Sequence, residues 1–276
     1  MKGIQQLFVR CRYILRSILL NPFYEWRRFW LRVERRTGIP LRFFSPTRLY
    51  IRCMEKRLLR SLPAEKAKKV GNYFLHSEVL VTKESVVYSP GIGLDIDFDF
   101  ALGQETGANI YMMDPTPRSR KFIESLALPP QYRYFPVALY THDGEITFFS
   151  HYFVDDVQHS PSFSARNETQ TSYQISVPCM RLPSLMQRNG HDSMDVLKMD
   201  IEGVADIVLK DTLDQGIKPK QVVCEFEFPA HPFKAIAYLQ ELGTLFDRMQ
   251  KDGYEVYSIT QSGLGSRIEI LGVLTQ

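Results

Sequence analysis

The stretch from residue 85 to residue 117, SVVYSPGIGLDIDFDFALGQETGANIYMMDPTP, constrains the fold more than any other part of the chain. It begins with a run of β-branched and aromatic residues (86–88), which predicts a short buried strand. Gly91 and Gly93 follow, and they allow a tight turn in which the backbone can approach a ligand closely. Apolar residues at helical spacing then predict a helix over residues 95–106.

A second predicted strand, residues 110–113, ends in Asp114. In nucleotide-binding α/β units the glycine turn receives the ligand and such an acid binds ribose hydroxyls. The alternative is an ordinary strand-to-helix turn. A dinucleotide fingerprint needs a third glycine, but Ile96 stands in its place between Asp95 and Asp97. Carboxylates at a helix start would repel a pyrophosphate, so a nucleoside with a cationic centre, S-adenosylmethionine, fits better.

Charge is distributed unevenly along the 276 residues. Residues 1–70 contain 18 Lys and Arg against 4 Asp and Glu, so they carry +14 and the remainder carries −11. The expected organisation is a basic helical N-terminal extension, residues 1–70, and an S-adenosylmethionine-binding domain, residues 71–276. Four scattered cysteines predict neither zinc nor a disulfide framework and are typical of the cytoplasm. No apolar run reaches the roughly 18 to 20 residues of a membrane span.

The basic extension predicts helices that are apolar on one face. Apolar residues repeat at three and four over residues 4–20, a second amphipathic segment follows, and Ser45-Pro46 predicts the start of a third helix. Three interpretations stay open. The extension is a helical cap with solvated arginines, or residues 1–36 contact anionic lipid peripherally at the inner face of a membrane, or it binds nucleic acid. Nucleic acid is the least favoured, since no reader motif accompanies the charge.

The middle of the chain predicts alternating elements. We expect a helix over 63–75, a short strand over 79–81, a helix over 118–126 and a third core strand over 132–139. Asp143-Gly144 is a strong hairpin signal and predicts a following strand over 146–149.

Residues 150–170 form a polar segment that predicts a loop over the site. It contains His151 and His159, which lack metal-ligand spacing to a carboxylate cluster. An idle surface loop is favoured over a substrate loop. A strand over 173–178 and a helix over 182–189, closed by Gly190, are expected next.

The second informative stretch is MDVLKMDIEG, residues 194–203. Its apolar run predicts a strand buried on both faces, as at the centre of a parallel sheet. Asp200 stands at the carboxyl end of this strand, where open α/β sheets bind ligands, and Glu202 follows before Gly203 permits a turn. A carboxylate pair there can bind a metal, orient a sugar hydroxyl or accept its proton. The alternative is that both acids cap the next helix.

Lys198 lies inside the apolar strand and therefore needs a carboxylate partner, for which Asp200, Glu202 and Glu225 are the candidates. Glu225 ends a predicted fifth strand over 222–224 and is expected near the same pocket. A helix over 231–251 and an antiparallel pair of strands over 254–259 and 267–273 complete the pattern.

Several of these segments together resemble the FkbM-type methyltransferases. They are VYSPGIGLDIDFDFAL, MMDPTP, MDVLKMDIEG and VVCEFEF, within about residues 78 to 275. LKMDIEG and DPTP are the more specific motifs. The resemblance implies a class I S-adenosylmethionine-dependent enzyme with an α/β, Rossmann-like fold: a mostly parallel seven-stranded sheet with helices on both faces. Understood members mostly methylate hydroxyl oxygens, often on sugars. The resemblance does not extend to residues 1–70.

Carried over residue by residue, the resemblance implies cofactor binding by Gly91, Gly93 and Asp114. It also implies that Asp200 and Glu202 act at the substrate end of the sheet.

The sequence departs from the pattern of class I enzymes at one position. Many of them have an acid at the end of the first strand, where it positions the methionine amino group, and Tyr88-Ser89 stands there instead. Asp95 or Asp97 is the expected substitute, and we include Asp95 among the predicted cofactor-binding residues.

The function expected from the sequence is O-methyl transfer from S-adenosylmethionine to a hydroxyl of a saccharide or glycan precursor. Asp200 would accept the proton, and Glu202 would orient the acceptor or a divalent ion such as magnesium. The alternative from another class is a non-catalytic methyltransferase-like module docked at a membrane by its basic arm. An NAD-dependent oxidoreductase is disfavoured by the missing third glycine. The acceptor, O- versus N-methylation and the oligomeric state stay open.

Overall fold

Helices and strands alternate along most of the chain. The computed structural model describes residues 46–150, 163–165, 174–229, 231–261 and 266–275. The helices in this part are α1 (Pro46–Leu58), α2 (Asp97–Thr106), α3 (Pro117–Glu124), α4 (Leu182–Asn189), α5 (Ala205–Asp214) and α6 (Pro232–Lys251). The predicted helices before residue 45, as well as His151 and His159, lie outside the described residues.

Fourteen strands are found among the described residues, in three sheets. They are β1 (Arg60–Ser61), β2 (Ala67–Val70), β3 (Tyr73–His76), β4 (Val86–Pro90), β5 (Asn109–Met113), β6 (Tyr132–Phe135), β7 (Ala138–Leu139), β8 (Gly144–Ser150), β9 (Phe163–Ser164), β10 (Gln174–Met180), β11 (Val196–Met199), β12 (Gln221–Glu227), β13 (Tyr254–Ser258) and β14 (Arg267–Leu274). The main sheet has the order β1-β13-β14-β12-β11-β4-β5-β6, and the others are β7-β10-β8-β9 and the pair β2-β3.

The centre of the main sheet is parallel, and its strands are buried on both faces. All four residues of β11 are buried, and β11 pairs in parallel with β12 on one side and β4 on the other. The chain leaves β4 for β5 in one direction and leaves β11 for β12 in the opposite direction. The boundary between β4 and β11 is therefore a topological switch point, where α/β sheets open a crevice at their carboxyl edge.

Each face of the main sheet carries its own apolar core. One face is covered by α1, α4, α5 and α6, which contribute Ile51, Leu185, Leu209 and Leu242 among others. The opposite face is covered by α2, α3 and the β2–β3 hairpin, which contribute Leu102, Ile123, Val70 and Leu75. A hairpin therefore lies beside two helices on the second face.

The main sheet has eight strands in the described residues, where the family resemblance implies seven. The additional strand is β1, which pairs in parallel with β13 through Arg60 and Tyr257. It directly follows α1, whose Ile51 is 1% exposed in the core. Residues 46–61 of the predicted extension thus pack on the domain, and the predicted boundary at residue 70 falls at the hairpin turn.

The helix predicted over residues 63–75 is wrong. Apart from a 3₁₀ turn at Ala64–Lys66, this segment forms the antiparallel strands β2 and β3. The strand predicted over 79–81 is also absent from the described residues. The helix propensity of the Ala, Glu and Lys residues does not decide the structure here. The Gly71-Asn72 turn places Val70 and Leu75 in the core, and their burial favours the hairpin.

The prediction of one strand over 132–139 followed by a hairpin is wrong. The run splits into β6 in the main sheet and β7 in the second sheet, and β10 lies between β7 and β8. The Asp143 carboxylate accepts hydrogen bonds from Arg181 N at 2.7 Å and Ser184 Oγ at 2.6 Å. Asp143 thus stabilises the junction between β10 and α4 through these hydrogen bonds.

Two predictions in the second half are confirmed. Helix α4 spans Leu182–Asn189 and ends at Gly190, whose φ is +72°. Strands β13 and β14 pair antiparallel.

None of the described helices is both long and apolar enough to cross a bilayer.

Candidate functional site

A cavity of about 250 Å³ opens at the carboxyl edge of the sheet, at the switch point between β4 and β11. The structure brings all the sequence-predicted site residues together around it: Gly91, Gly93, Asp95, Asp114, Asp200 and Glu202. The cavity is also lined by four apolar residues, Val137, Leu139, Phe148 and Phe163. The second sheet, through β8 and β9, therefore contributes to the same cavity.

Gly91 lies at the closest approach between the two halves of the sheet. Its φ is +82°, and a Cβ at this position would lie 1.9 Å from the Asp200 carbonyl oxygen. Gly91 N donates to Met113 O at 2.8 Å, while Asp200 N donates to Pro90 O at 3.2 Å. The turn thus continues the pairing of β4 to both neighbouring strands, and only glycine fits there.

Asp114 connects the glycine turn to the DPTP turn. Its Oδ2 accepts a hydrogen bond from Gly93 N at 3.0 Å, and its Oδ1 accepts from Thr116 N at 2.8 Å and from the Thr116 hydroxyl at 2.6 Å. Burial raises the pKa of Asp114, while the bonds from Thr116 and Gly93 oppose that rise. Asp114 is 7% exposed, so its carboxylate is fixed in the cavity wall.

Asp95 stabilises the start of α2 and is held by a residue outside the glycine turn. Its Oδ1 accepts from Asp97 N at 2.9 Å, and its Oδ2 accepts from Asn72 Nδ2 at 2.8 Å. Asn72 belongs to the turn of the β2–β3 hairpin. Because residues 63–75 read as a helix, sequence reasoning missed this contact.

Asp200 is held by two side chains. Tyr73 donates its hydroxyl hydrogen to Asp200 Oδ2 at 2.9 Å, and Lys198 Nζ lies 4.0 Å from the same oxygen. The prediction of a carboxylate partner for Lys198 is confirmed by this ion pair. Neither of these contacts involves a backbone N–H group of α5. The alternative that Asp200 only caps this helix is therefore not supported by its contacts. Glu202 also lines the cavity, and its backbone oxygen accepts from Ser164 Oγ at 2.9 Å.

Lys198 is 3% exposed and lies next to the glycine turn. Its Nζ is 3.4 Å from Gly91 O and 5.2 Å from the centre of the Tyr73 ring. Asp99 in α2 is 1% exposed. Burial raises the pKa of Asp99 to about 6, and the positive charge of Lys198 opposes that rise. The lysine thus offsets two carboxylates, one on each side of the switch point.

A second group of charges lies beside Asp200. Glu225 faces Glu269 directly across β12 and β14, an arrangement that repulsion would destabilise without a cation. Arg267 supplies it: Nη1 is 2.9 Å from Glu225 Oε1, and Nε is 3.0 Å from Glu269 Oε1. Burial and then the Asp200 charge raise the pKa of Glu225 to about 8, against the opposing effect of Arg267.

The raised pKa of Glu225 predicts a pH-dependent stability. The folded protein holds this proton more tightly than the unfolded chain, where the pKa is 4.5. The stabilisation is therefore complete below about pH 4.5 and is lost as the pH rises towards 8. Glu225→Gln should flatten this decline, changing the difference in free energy of unfolding by about 2 kcal/mol between about pH 5.5 and 7.5. Urea unfolding across that range measures it.

Glu241→Gln is the matched control for this measurement, since Glu241 is exposed on α6. It should leave the pH dependence of stability as in the wild type. Parallel curves for wild type and Glu225→Gln would contradict the prediction.

No group of three or more His, Cys, Asp or Glu side chains in the described part of the chain is arranged to hold a metal ion. The carboxylates near Asp200 are instead paired with Lys198 and Arg267.

The sheet order, its switch point and the glycine turn define a Rossmann-like α/β protein. The profile of the methyltransferase FkbM domain matches residues 93–256, more than half of the chain. The chain therefore belongs to the FkbM methyltransferase family, which confirms the resemblance seen in the sequence motifs. A comparison with curated proteins finds no match.

The solved structures that are similar to this chain include two methyltransferases. One is the crystal structure of methyltransferase FkbM from Methylobacillus flagellatus KT, with a TM-score of 0.48 and 10% identity over 75% of this chain and 48% of that one. The other is precorrin-6y C5,15-methyltransferase from Geobacter metallireducens GS-15, with a TM-score of 0.36 and 10% identity over 79% of this chain and 98% of that one. The chain spans about half the length of the first of them.

Proposed function

We propose that this methyltransferase-family protein binds S-adenosylmethionine at the switch point and methylates a hydroxyl oxygen, most simply one on a saccharide or glycan precursor. One observation carries the proposal. The residues assigned to the cofactor, Gly91, Gly93 and Asp114, line the same cavity as the carboxylates assigned to the acceptor, Asp200 and Glu202.

The residues present fit the cofactor. A Cβ at Gly93 would meet no atom within 4 Å, so open space lies beside this part of the turn. Asp114 supplies a fixed carboxylate for ribose hydroxyls, and Asp95 supplies a negative charge for the cationic amino-acid part of the cofactor. When bound, S-adenosylmethionine supplies an electrophilic methyl group on its sulfonium.

Asp200 is the proton acceptor in this proposal. Both of its polar side-chain contacts among the described residues, to Tyr73 and Lys198, fall on Oδ2. Oδ1 is therefore the oxygen that we assign to the acceptor hydroxyl. Glu202 orients the acceptor from the same turn. Holding the hydroxyl in attack geometry supplies most of the rate, and proton removal adds to it.

A carbohydrate acceptor is supported by the composition of the cavity wall. Phe148 and Phe163 line the same cavity as Asp200 and Glu202. Apolar surface excludes water from the reacting groups, and carboxylates accept hydrogen bonds from hydroxyls. The combination suits a ligand with apolar C–H faces and several hydroxyls.

Calorimetry with the purified chain tests cofactor choice. We expect S-adenosylmethionine to bind with a dissociation constant in the micromolar range, and NADH to give no heat. Labelled S-adenosylmethionine with a panel of methyl glycosides then tests the acceptor, and we expect alkali-stable label on sugar oxygen. The absence of heat with S-adenosylmethionine would contradict cofactor binding, and label only on amines would contradict O-methylation.

A further inference from the structure

We propose that the β2–β3 hairpin is part of the active site: Asn72 positions Asp95 on the cofactor side, and Tyr73 positions Asp200 on the acceptor side. The hairpin, residues 67–76, precedes the matched family region at residues 93–256. The activity part of this inference rests on the proposed function. The contact part rests on geometry alone.

The hairpin turn is packed tightly against the start of α2. Gly71 has φ +52°, and a Cβ there would lie 2.5 Å from Phe98 N and 2.6 Å from Asp97 C. The Tyr73 and Phe98 rings meet edge to face at 5.8 Å. Gln261 Nε2 donates to the Asn72 carbonyl oxygen at 2.7 Å, from the segment that follows β13. The turn is therefore fixed from two directions.

The base of the hairpin is anchored as well. Gln221, at the start of β12, is 0% exposed. Its Oε1 accepts from His76 N at 2.7 Å, and its Nε2 donates to Val79 O at 3.0 Å. A buried side-chain amide whose two ends both bind the hairpin region fixes its distance from the sheet. Asn72 and Tyr73 are thus presented to the site by a rigid element.

The two neighbouring residues reach different halves of the site. Asn72 Nδ2 lies 2.8 Å from Asp95 Oδ2, and the Tyr73 hydroxyl lies 2.9 Å from Asp200 Oδ2. Burial, and then the Asp200 charge, raise the pKa of Tyr73 above its ordinary value, so the phenol stays protonated and donates. Lys198 lies 5.2 Å from the centre of the Tyr73 ring and 4.0 Å from Asp200 Oδ2, so it contacts both residues.

This arrangement fixes the rotamer of Asp200. Tyr73 and Lys198 both hold Oδ2, and the carboxylate plane then directs Oδ1 away from them. We assign Tyr73 as a positioning residue, since its hydroxyl acts on the acceptor through Asp200. We assign Asn72 the same role for the cofactor, through Asp95.

Two substitutions separate these roles. Tyr73→Phe keeps the ring that contacts Phe98 and Lys198 but removes the hydroxyl. We expect it to lower the rate constant of methyl transfer about tenfold, measured on the methyl glycoside that the wild type methylates fastest, with S-adenosylmethionine affinity unchanged. Asn72→Ala should weaken S-adenosylmethionine binding about fivefold by calorimetry, with a smaller effect on turnover at saturating cofactor.

The matched control is Tyr254→Phe. Tyr254 is also a buried tyrosine, but its hydroxyl donates to Pro219 O at 2.8 Å, away from the cavity. It should change neither affinity nor turnover. If the hairpin were only a structural support, Asn72→Ala and Tyr73→Phe would lower affinity and turnover in equal proportion. That result would overturn the proposal.

A double-mutant cycle on unfolding needs no cofactor. Tyr73→Phe and Asp200→Ala should couple by about tenfold in the unfolding equilibrium constant. Such coupling would support the contact even if the wild type bound no S-adenosylmethionine, in which case only the proposed function would fail. Additive effects of the two substitutions would overturn the hold of the hairpin on Asp200 even with cofactor binding intact.

Discussion

Gly91→Ala is expected to destabilise the protein by more than about 4 kcal/mol and to abolish S-adenosylmethionine binding. The new Cβ would lie 1.9 Å from the Asp200 carbonyl oxygen and 2.5 Å from the carbonyl carbon. Both atoms are backbone at the end of the central strand β11, so neither can move without separating β4 from β11. Residue 91 also has φ +82°, which disfavours any side chain. Urea unfolding measures the stability, and calorimetry the affinity.

Gly93→Ala is the control for this substitution. Gly93 also has a positive φ of +53°, but a Cβ there would meet nothing within 4 Å. Gly93→Ala should lower the free energy of unfolding only by the cost of placing alanine in a left-handed backbone conformation, about 1 to 2 kcal/mol. Equal losses for the two variants would mean that backbone conformation, rather than the contact with Asp200, makes Gly91 necessary.

Asp200→Asn is expected to lower methyl transfer by about 10² to 10⁴-fold while S-adenosylmethionine affinity stays as in the wild type. Asparagine keeps the shape of the side chain and an oxygen for the Tyr73 hydroxyl. It cannot take the proton of the acceptor hydroxyl at the reacting step. The rate constant at saturating cofactor, measured with labelled S-adenosylmethionine and a methyl glycoside, reports this loss.

Asp247→Asn provides the comparison, because Asp247 is exposed on α6 and lies outside the cavity. It should retain full turnover. If Asp200→Asn also retained full turnover, proton removal would have to be assigned to another group, and Glu202 would be the next to test.

The centre of the fold and the grouping of the candidate site residues around one cavity could be predicted from the sequence, because the signals there are local. Apolar runs that end in an acid, at Asp114 and Asp200, identify strand ends at one edge of a parallel sheet. Gly91 and Gly93 identify the turn that follows the neighbouring strand β4 at the same edge. Helix α4 was predicted with its observed bounds because Gly190 marks its end.

The hairpin that carries Asn72 and Tyr73 could not be predicted in this way. Ala67, Lys68 and Lys69 favour a helix, but burial of Val70 and Leu75 against the sheet decides the outcome. The partner of Tyr73 is 127 residues away in the sequence. No short-range pattern reveals such a contact. The Gly71-Asn72 pair was the one available signal, since such pairs favour tight turns.

The second sheet illustrates a related difficulty. Asp143 lies in a bend before β8, but the hairpin predicted there does not form, because β7 and β8 are not neighbours. The sequence does not reveal that β10, which comes some thirty residues later, pairs with both β7 and β8. Local turn chemistry predicts where the chain reverses, whereas strand neighbours depend on long-range burial.

The place of β14 between β12 and β13 has a consequence for biosynthesis. Residues 267–274 pair antiparallel with both strands, so until they emerge from the ribosome β12 and β13 expose unpaired edges. The nascent chain carries this hazard from the synthesis of β12, at residues 221–227, until residues 267–274 have emerged, because domains complete their folding only when their last interior strand is available. Chaperone binding to the growing polypeptide should therefore persist until that strand has been made.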